Sequence, residues 1–115
     1  MITLPASAQS PPRDFVSSSR DLLGISEHLT ASLSFADVDG DGDLDVLCAN
    51  GRHWPEQNEV YLNNGLGRFT SGYALGKELA TSYAVPAGDL DGDGDVDVVV
   101  ANDMAPSWEI GRAHV

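Results

Sequence analysis

The stretch Asp37-Val-Asp-Gly-Asp-Gly-Asp-Leu-Asp45 decides how this chain is read, and it is spelled almost unchanged a second time as Asp89-Leu-Asp-Gly-Asp-Gly-Asp-Val-Asp97. Each copy sets five aspartates at alternate positions, with glycines between them. Carboxylates so crowded repel one another unless a cation sits among them. Hard oxygen donors on a short, glycine-bent loop suit Ca²⁺, which takes about six to eight oxygens in loose geometry. Counted against the spacing of a helical calcium loop, Asp37, Asp39, Asp41 and Asp45 fall at ligand positions 1, 3, 5 and 9, and Gly42 at the sharp turn. Asp43 stands where a backbone carbonyl is used, which leaves its side chain free to face solvent. Asp89, Asp91, Asp93, Gly94, Asp95 and Asp97 repeat the pattern. A merely solvated acidic turn would not be expected to keep that spacing twice.

The helical version is excluded by the sequence downstream of each loop. Position 12, where a bidentate glutamate belongs, holds Cys48 in one copy and Val100 in the other. The two runs there, Val46-Leu-Cys-Ala49 and Val98-Val-Val-Ala101, are apolar and end at Asn50-Gly51 and Asn102-Asp103. Such runs predict strands buried on both faces.

Working outward, Leu33 and Phe35 predict a strand entering the first loop. Glu59–Asn63 and Arg68–Ser71 predict a hairpin around Asn64-Gly65-Leu66-Gly67. A strand around Phe15 and Val16, within Asp14–Leu23, is expected ahead of them. Tyr73 to Tyr83 reads as a looser connection, and Tyr83–Ala87 as a strand whose pairing Pro86 limits. The two loops are offset by 52 residues, Asn50 and Asn102 share that offset, and Phe15 and Phe69 lie 54 apart. A period near 50 holding about four short strands is the signature of propeller blades, whereas helical solenoids would need a 3.6-residue periodicity that is not found. The expected fold is therefore all-β, a partial β-propeller of about two four-stranded antiparallel blades.

The segments Phe35–Asn50, Asn58–Phe69 and Ala87–Asn102 resemble the FG-GAP/VCBS-type repeats of integrin-α-like β-propellers, over about residues 15 to 103. The resemblance implies a calcium loop joining two strands within each blade, with Asp37, Asp39, Asp41, Asp43 and Asp45 as ligands in one and Asp89, Asp91, Asp93, Asp95 and Asp97 in the other. The Gly-Ala-Pro that names part of the family is absent, and Ala49-Asn50-Gly51 and Ala101-Asn102-Asp103 stand in its place. That departure bears on an integrin-like ligand-binding role rather than on the fold. A propeller closes with four to eight blades, so the chain reads as a fragment whose partners include the remaining blades of a longer chain. Residues 14–103 form the repeats, and 104–115 are an unassigned tail in which no return strand is expected. Residues 1–13 are either a Ser/Pro-rich lead or the remnant of a signal peptide, the latter suggested by Ala6-Ser7-Ala8.

Composition narrows the function. Eighteen acidic residues against six basic ones give a net charge of −12, and ten of the eighteen lie in the two loops. Nucleic-acid binding, which uses basic stripes, is excluded as an expectation. No run approaches the roughly eighteen apolar residues of a membrane span. Cys48 is the single cysteine, with packing as its expected role. His28, His53 and His114 fit no triad or metal spacing and read as surface residues, and no serine sits in a Gly-x-Ser-x-Gly elbow. Trp54 and Trp108 are expected in loops after the calcium strands, where they would contact a ligand or pack between blades.

The leading expectation is a calcium-binding, non-catalytic propeller segment of an extracellular, cell-surface or periplasmic protein, serving adhesion or binding an unknown protein or carbohydrate. An accessory part of a larger secreted enzyme, such as a polysaccharide-degrading one, is the alternative. A cytoplasmic calcium sensor stands third, since the glutamate that drives helix opening is missing.

Overall fold

The computed structural model describes residues 13–16, 18, 23, 27–103 and 106–110. They form eight strands and no helix: β1 (Ser32–Ala36), β2 (Asp45–Ala49), β3 (Glu59–Asn63), β4 (Phe69–Ala74), β5 (Thr81–Ala84), β6 (Ala87–Gly88), β7 (Asp97–Asp103) and β8 (Trp108–Ile110). The first four make an antiparallel meander in sequence order. In the second sheet β7 is central, with β5 and β6 pairing to it and β8 on its other edge.

The 52-residue period governs hydrogen-bond register as well as spelling. Ser32 pairs with Ala49 and Ala36 with Asp45 in the first sheet; Ala84 pairs with Ala101 and Gly88 with Asp97 in the second. Thus β5 and β6 are together the counterpart of β1, split where Pro86 has no N–H to give. The Pro86 carbonyl still accepts the Val99 amide at 3.0 Å, so the ladder resumes immediately.

The core lies between the two sheets. Leu47, Ala49, Val60 and Leu75 from the first meet Val85, Val98 and Val100 from the second, none of them more than 2 % exposed. Burying each of these Leu and Val side chains contributes about 1.5–3 kcal/mol. On the opposite face of the first sheet, Val46, Cys48 and Tyr61 form a smaller cluster with Leu23 and Phe69. Alternation along β2 sends Leu47 and Ala49 one way and Val46 and Cys48 the other, and all five of its residues are buried. Gly72 pairs with Tyr61 across the sheet, where a Cβ would come within 2.7 Å of the ring.

Several expectations are corrected. Residues 13–16 and 18 carry no strand, and Phe15 and Val16 stand in solvent. Among the described residues no strand pairs with this segment, and an extended segment without such a partner has nothing to satisfy its ladder. The connection after the hairpin is tighter than expected, since β4 runs to Ala74 and β5 begins at Thr81. The region assigned as a tail contains β8, where Val98, Val99 and Val100 pair with Ile110, Glu109 and Trp108. This is the place β3 occupies in the first sheet, and its short, non-alternating spelling conceals it. Trp108 is therefore a strand residue, whereas Trp54 stays in an exposed loop. The first twelve residues, and with them most of the proposed lead, fall outside the described residues, as does His114.

Candidate metal centre

Each acidic loop runs from the end of one strand to the start of the next, β1 to β2 and β6 to β7. The local fold arises from side chains accepting hydrogen bonds from the backbone ahead of them, the habit that makes aspartate a turn former. Asp37 Oδ1 accepts the amides of Gly40 at 2.8 Å and Asp41 at 3.0 Å, and its Oδ2 accepts Gly42 at 2.8 Å. Asp89 does the same with Gly92 at 2.8 Å and Gly94 at 3.0 Å. Gly42 and Gly94, at φ of 94° and 91°, take the left-handed turn that residues with a Cβ resist. The last aspartate closes each loop: Asp45 Oδ2 accepts Val38 N–H and Asp97 Oδ2 accepts Leu90 N–H, both at 2.9 Å.

This folding gathers three carboxylates per loop. Oxygens of Asp37, Asp39 and Asp45 lie within 4.8 Å of one another, and so do those of Asp89, Asp91 and Asp97. Asp41 and Asp43, with Asp93 and Asp95, lie outside these groups. Asp41 Oδ1 instead accepts Asp43 N–H and Asp93 Oδ1 accepts Asp95 N–H, each at 2.9 Å. The Asp43 carboxylate leans against the β3–β4 turn, where a Cβ at Gly65 would stand 2.9 Å from its Oδ2.

The electrostatics record the crowding. Hydrogen bonding from the Gly42 amide, with help from Asp41 and Gly40, holds the Asp37 carboxyl below its usual range. Asp39 is pushed upward, first by loss of water and then by the charges of Asp45 and Asp41. At Asp91 the Asp93 amide pulls down, but loss of water and the charges of Asp93 and Asp97 outweigh it. Asp45 and Asp97 are fully buried. Clustered hard oxygens, one of them withdrawn from water, fit a hard divalent cation such as Ca²⁺.

Towards the ends of β2 and β7 opposite the loops, a partly buried polar chain missed by reading the sequence joins the two sheets. Thr30 Oγ donates to Asn50 Oδ1 at 2.8 Å, and Asn50 N–H donates to Asn58 Oδ1 at 2.8 Å. Asn58 Nδ2 donates across to Ser82 Oγ at 2.8 Å, whose hydroxyl donates to Asn102 Oδ1 at 2.8 Å. Asn50 and Asn102 use their Nδ2 alike, on the carbonyls of Gln57 and Pro106. Thr30 and Ser82 are one period apart, so the repeat carried a signal for this chain.

His28 also departs from the expected surface role. Its side chain is about one-fifth exposed, with Nδ1 3.2 Å from Glu56 Oε2 and Nε2 3.3 Å from Glu59 Oε2. The second contact is not aligned as a hydrogen bond. This ring borders a pocket of about 460 Å³ lined by Leu23, Leu33, Cys48, Glu59 and Tyr61. Tyr61 donates its hydroxyl to Glu59. Burial, then the Glu59 charge, pushes the Cys48 thiol up to about 11, so it is a packing residue rather than a nucleophile. The two ring nitrogens of His28 face carboxylates on opposite sides, which is not a metal-binding arrangement.

Two similar antiparallel sheets, packed face to face and each carrying an aspartate loop between its strands, define consecutive blades of a propeller-type repeat protein. Residues 37–100 match the family described as FG-GAP-like repeat. The match covers more than half of the chain, and the chain belongs to that family. No curated protein and no solved structure matches it significantly.

Proposed function

We propose that this chain is a calcium-stabilised, non-catalytic repeat segment of a secreted or cell-surface protein, whose blades present loops to a protein or carbohydrate ligand. One observation carries the reading: the same three-carboxylate cluster stands at the same place in both blades. The metal's role is structural. Without a cation each loop holds mutually repelling carboxylates between two strands that must stay in register. With Ca²⁺ bound, Asp37, Asp39 and Asp45, or Asp89, Asp91 and Asp97, are held together and the strands with them. Extracellular calcium modules bind with constants of roughly 10⁻⁴–10⁻³ M, which suits surroundings of millimolar calcium. A tenfold excess over such a constant contributes about 1.4 kcal/mol per site. Trp54, 71 % exposed in the loop after β2, supports a ligand-contacting role for that end of the blade.

The test is thermal unfolding in millimolar CaCl₂ and in EGTA, with Mg²⁺ as a control. Calcium should raise the midpoint by several degrees. An identical midpoint in EGTA would remove the metal from the account.

A further inference from the structure

The two loops make five equivalent amide-to-carboxylate hydrogen bonds: at Gly40 and Gly92, Asp41 and Asp93, Gly42 and Gly94, Asp43 and Asp95, and Val38 and Leu90. The first loop adds a second acceptor for the Asp41 amide, Asp37 Oδ1 at 3.0 Å, and the loops part company further at the last aspartate. Asp45 Oδ1 accepts the Asn63 amide from the end of β3 at 2.9 Å, so both oxygens of that buried carboxylate are satisfied. Asp97 is equally buried and its Oδ2 accepts Leu90 N–H, but its Oδ1 has no hydrogen-bond partner among the described residues. A carboxylate oxygen withdrawn from water with nothing to meet its charge is costly, and a cation is the partner that removes the cost.

Resting on the calcium reading above, we infer that the two sites are unequal and that the loop of Asp89, Asp91 and Asp97 is the tighter one. The cation at this loop supplies what the Asn63 amide already supplies at the first. Asp45, with its charge partly met by that amide, gains less from an ion than Asp97 does. Ordering costs do not reverse the ranking, because the five shared hydrogen bonds give both loops the same turn. At low calcium Oδ1 of the first loop's buried carboxylate is still met by an amide, while among the described residues Oδ1 of the second's is met by the ion alone.

The experiment is calorimetric titration of the full chain with CaCl₂, repeated by Tb³⁺ luminescence, on wild type and on the exposed-position variants Asp39→Asn and Asp91→Asn. Each variant disables one loop without touching the core. Asp39→Asn, which leaves the second loop, should bind its single ion at least about tenfold more tightly than Asp91→Asn, the expected scale for satisfying a buried charged group. Equal constants, or tighter binding by Asp91→Asn, would overturn the ranking and leave the calcium reading intact. Wild-type chain that takes up no ion at all would overturn both.

Discussion

Asn58 is the side chain through which the first blade holds the second, and its removal makes a quantitative test. It is fully buried, accepts the Asn50 amide at 2.8 Å and donates to Ser82 Oγ at 2.8 Å. Asn58→Ala leaves the Asn50 N–H without its acceptor in a site closed to water. A buried donor stranded in this way costs about 1–3 kcal/mol. The bond to Ser82 adds a smaller loss, because Ser82 keeps its partner Asn102. The sum expected is about 3 kcal/mol, a large part of the roughly 5–15 kcal/mol that holds a domain together. The assay is urea unfolding in saturating calcium, monitored by tryptophan fluorescence and circular dichroism. A double-mutant cycle with Ser82→Ala isolates the contact between blades and should return a coupling of about 0.5–1.5 kcal/mol. A loss below about 0.5 kcal/mol for Asn58→Ala, or no coupling, would refute the claim that this chain of amides and hydroxyls ties the sheets together.

Two further outcomes are expected. Gly51, at φ of 91°, is pressed against the backbone of Ala80, Trp54 and Glu56, and a Cβ there would lie 2.7 Å from the Trp54 carbonyl oxygen. Gly51→Ala should cost more than the roughly 1 kcal/mol of an ordinary glycine change, and a variant with the wild-type urea midpoint would show that the turn is free to move. Cys48 titrates near 9.0 when unfolded and near 11 when folded, so its contribution is fully present below pH 9 and is lost as pH rises towards 11. A shift of that size corresponds to about 2–3 kcal/mol. Cys48→Val should flatten the stability profile in that window, and an unchanged slope would put the thiol in contact with water.

The aspartate loops, the strands after them and the period were legible because each is local. Asp-x-Asp-Gly-Asp needs only its own backbone amides to make a turn, and Val98–Ala101 is a strand by composition. Pro86 likewise announces the break between β5 and β6 through its missing N–H. By contrast, β8 was invisible, since Trp108-Glu-Ile110 has no alternation and owes its conformation to the free edge of β7. Phe15 and Val16 failed in the opposite sense: their composition favours a strand, and among the described residues no strand pairs with them. The roles of His28 between two glutamates and of Asn58 between two blades depend on residues 28 to 31 and 24 positions away, which no short-range pattern encodes.

Alone, the sequence determined that two acidic turns lead into two apolar strands, because turn-forming and burial are properties of a few neighbouring residues. Only the folded chain decided which three of five aspartates converge in each loop, and that Asp45 has a second amide donor where Asp97, among the described residues, has none. Those differences come from where β3 ends against the first loop, a distance set by the packing of the whole blade.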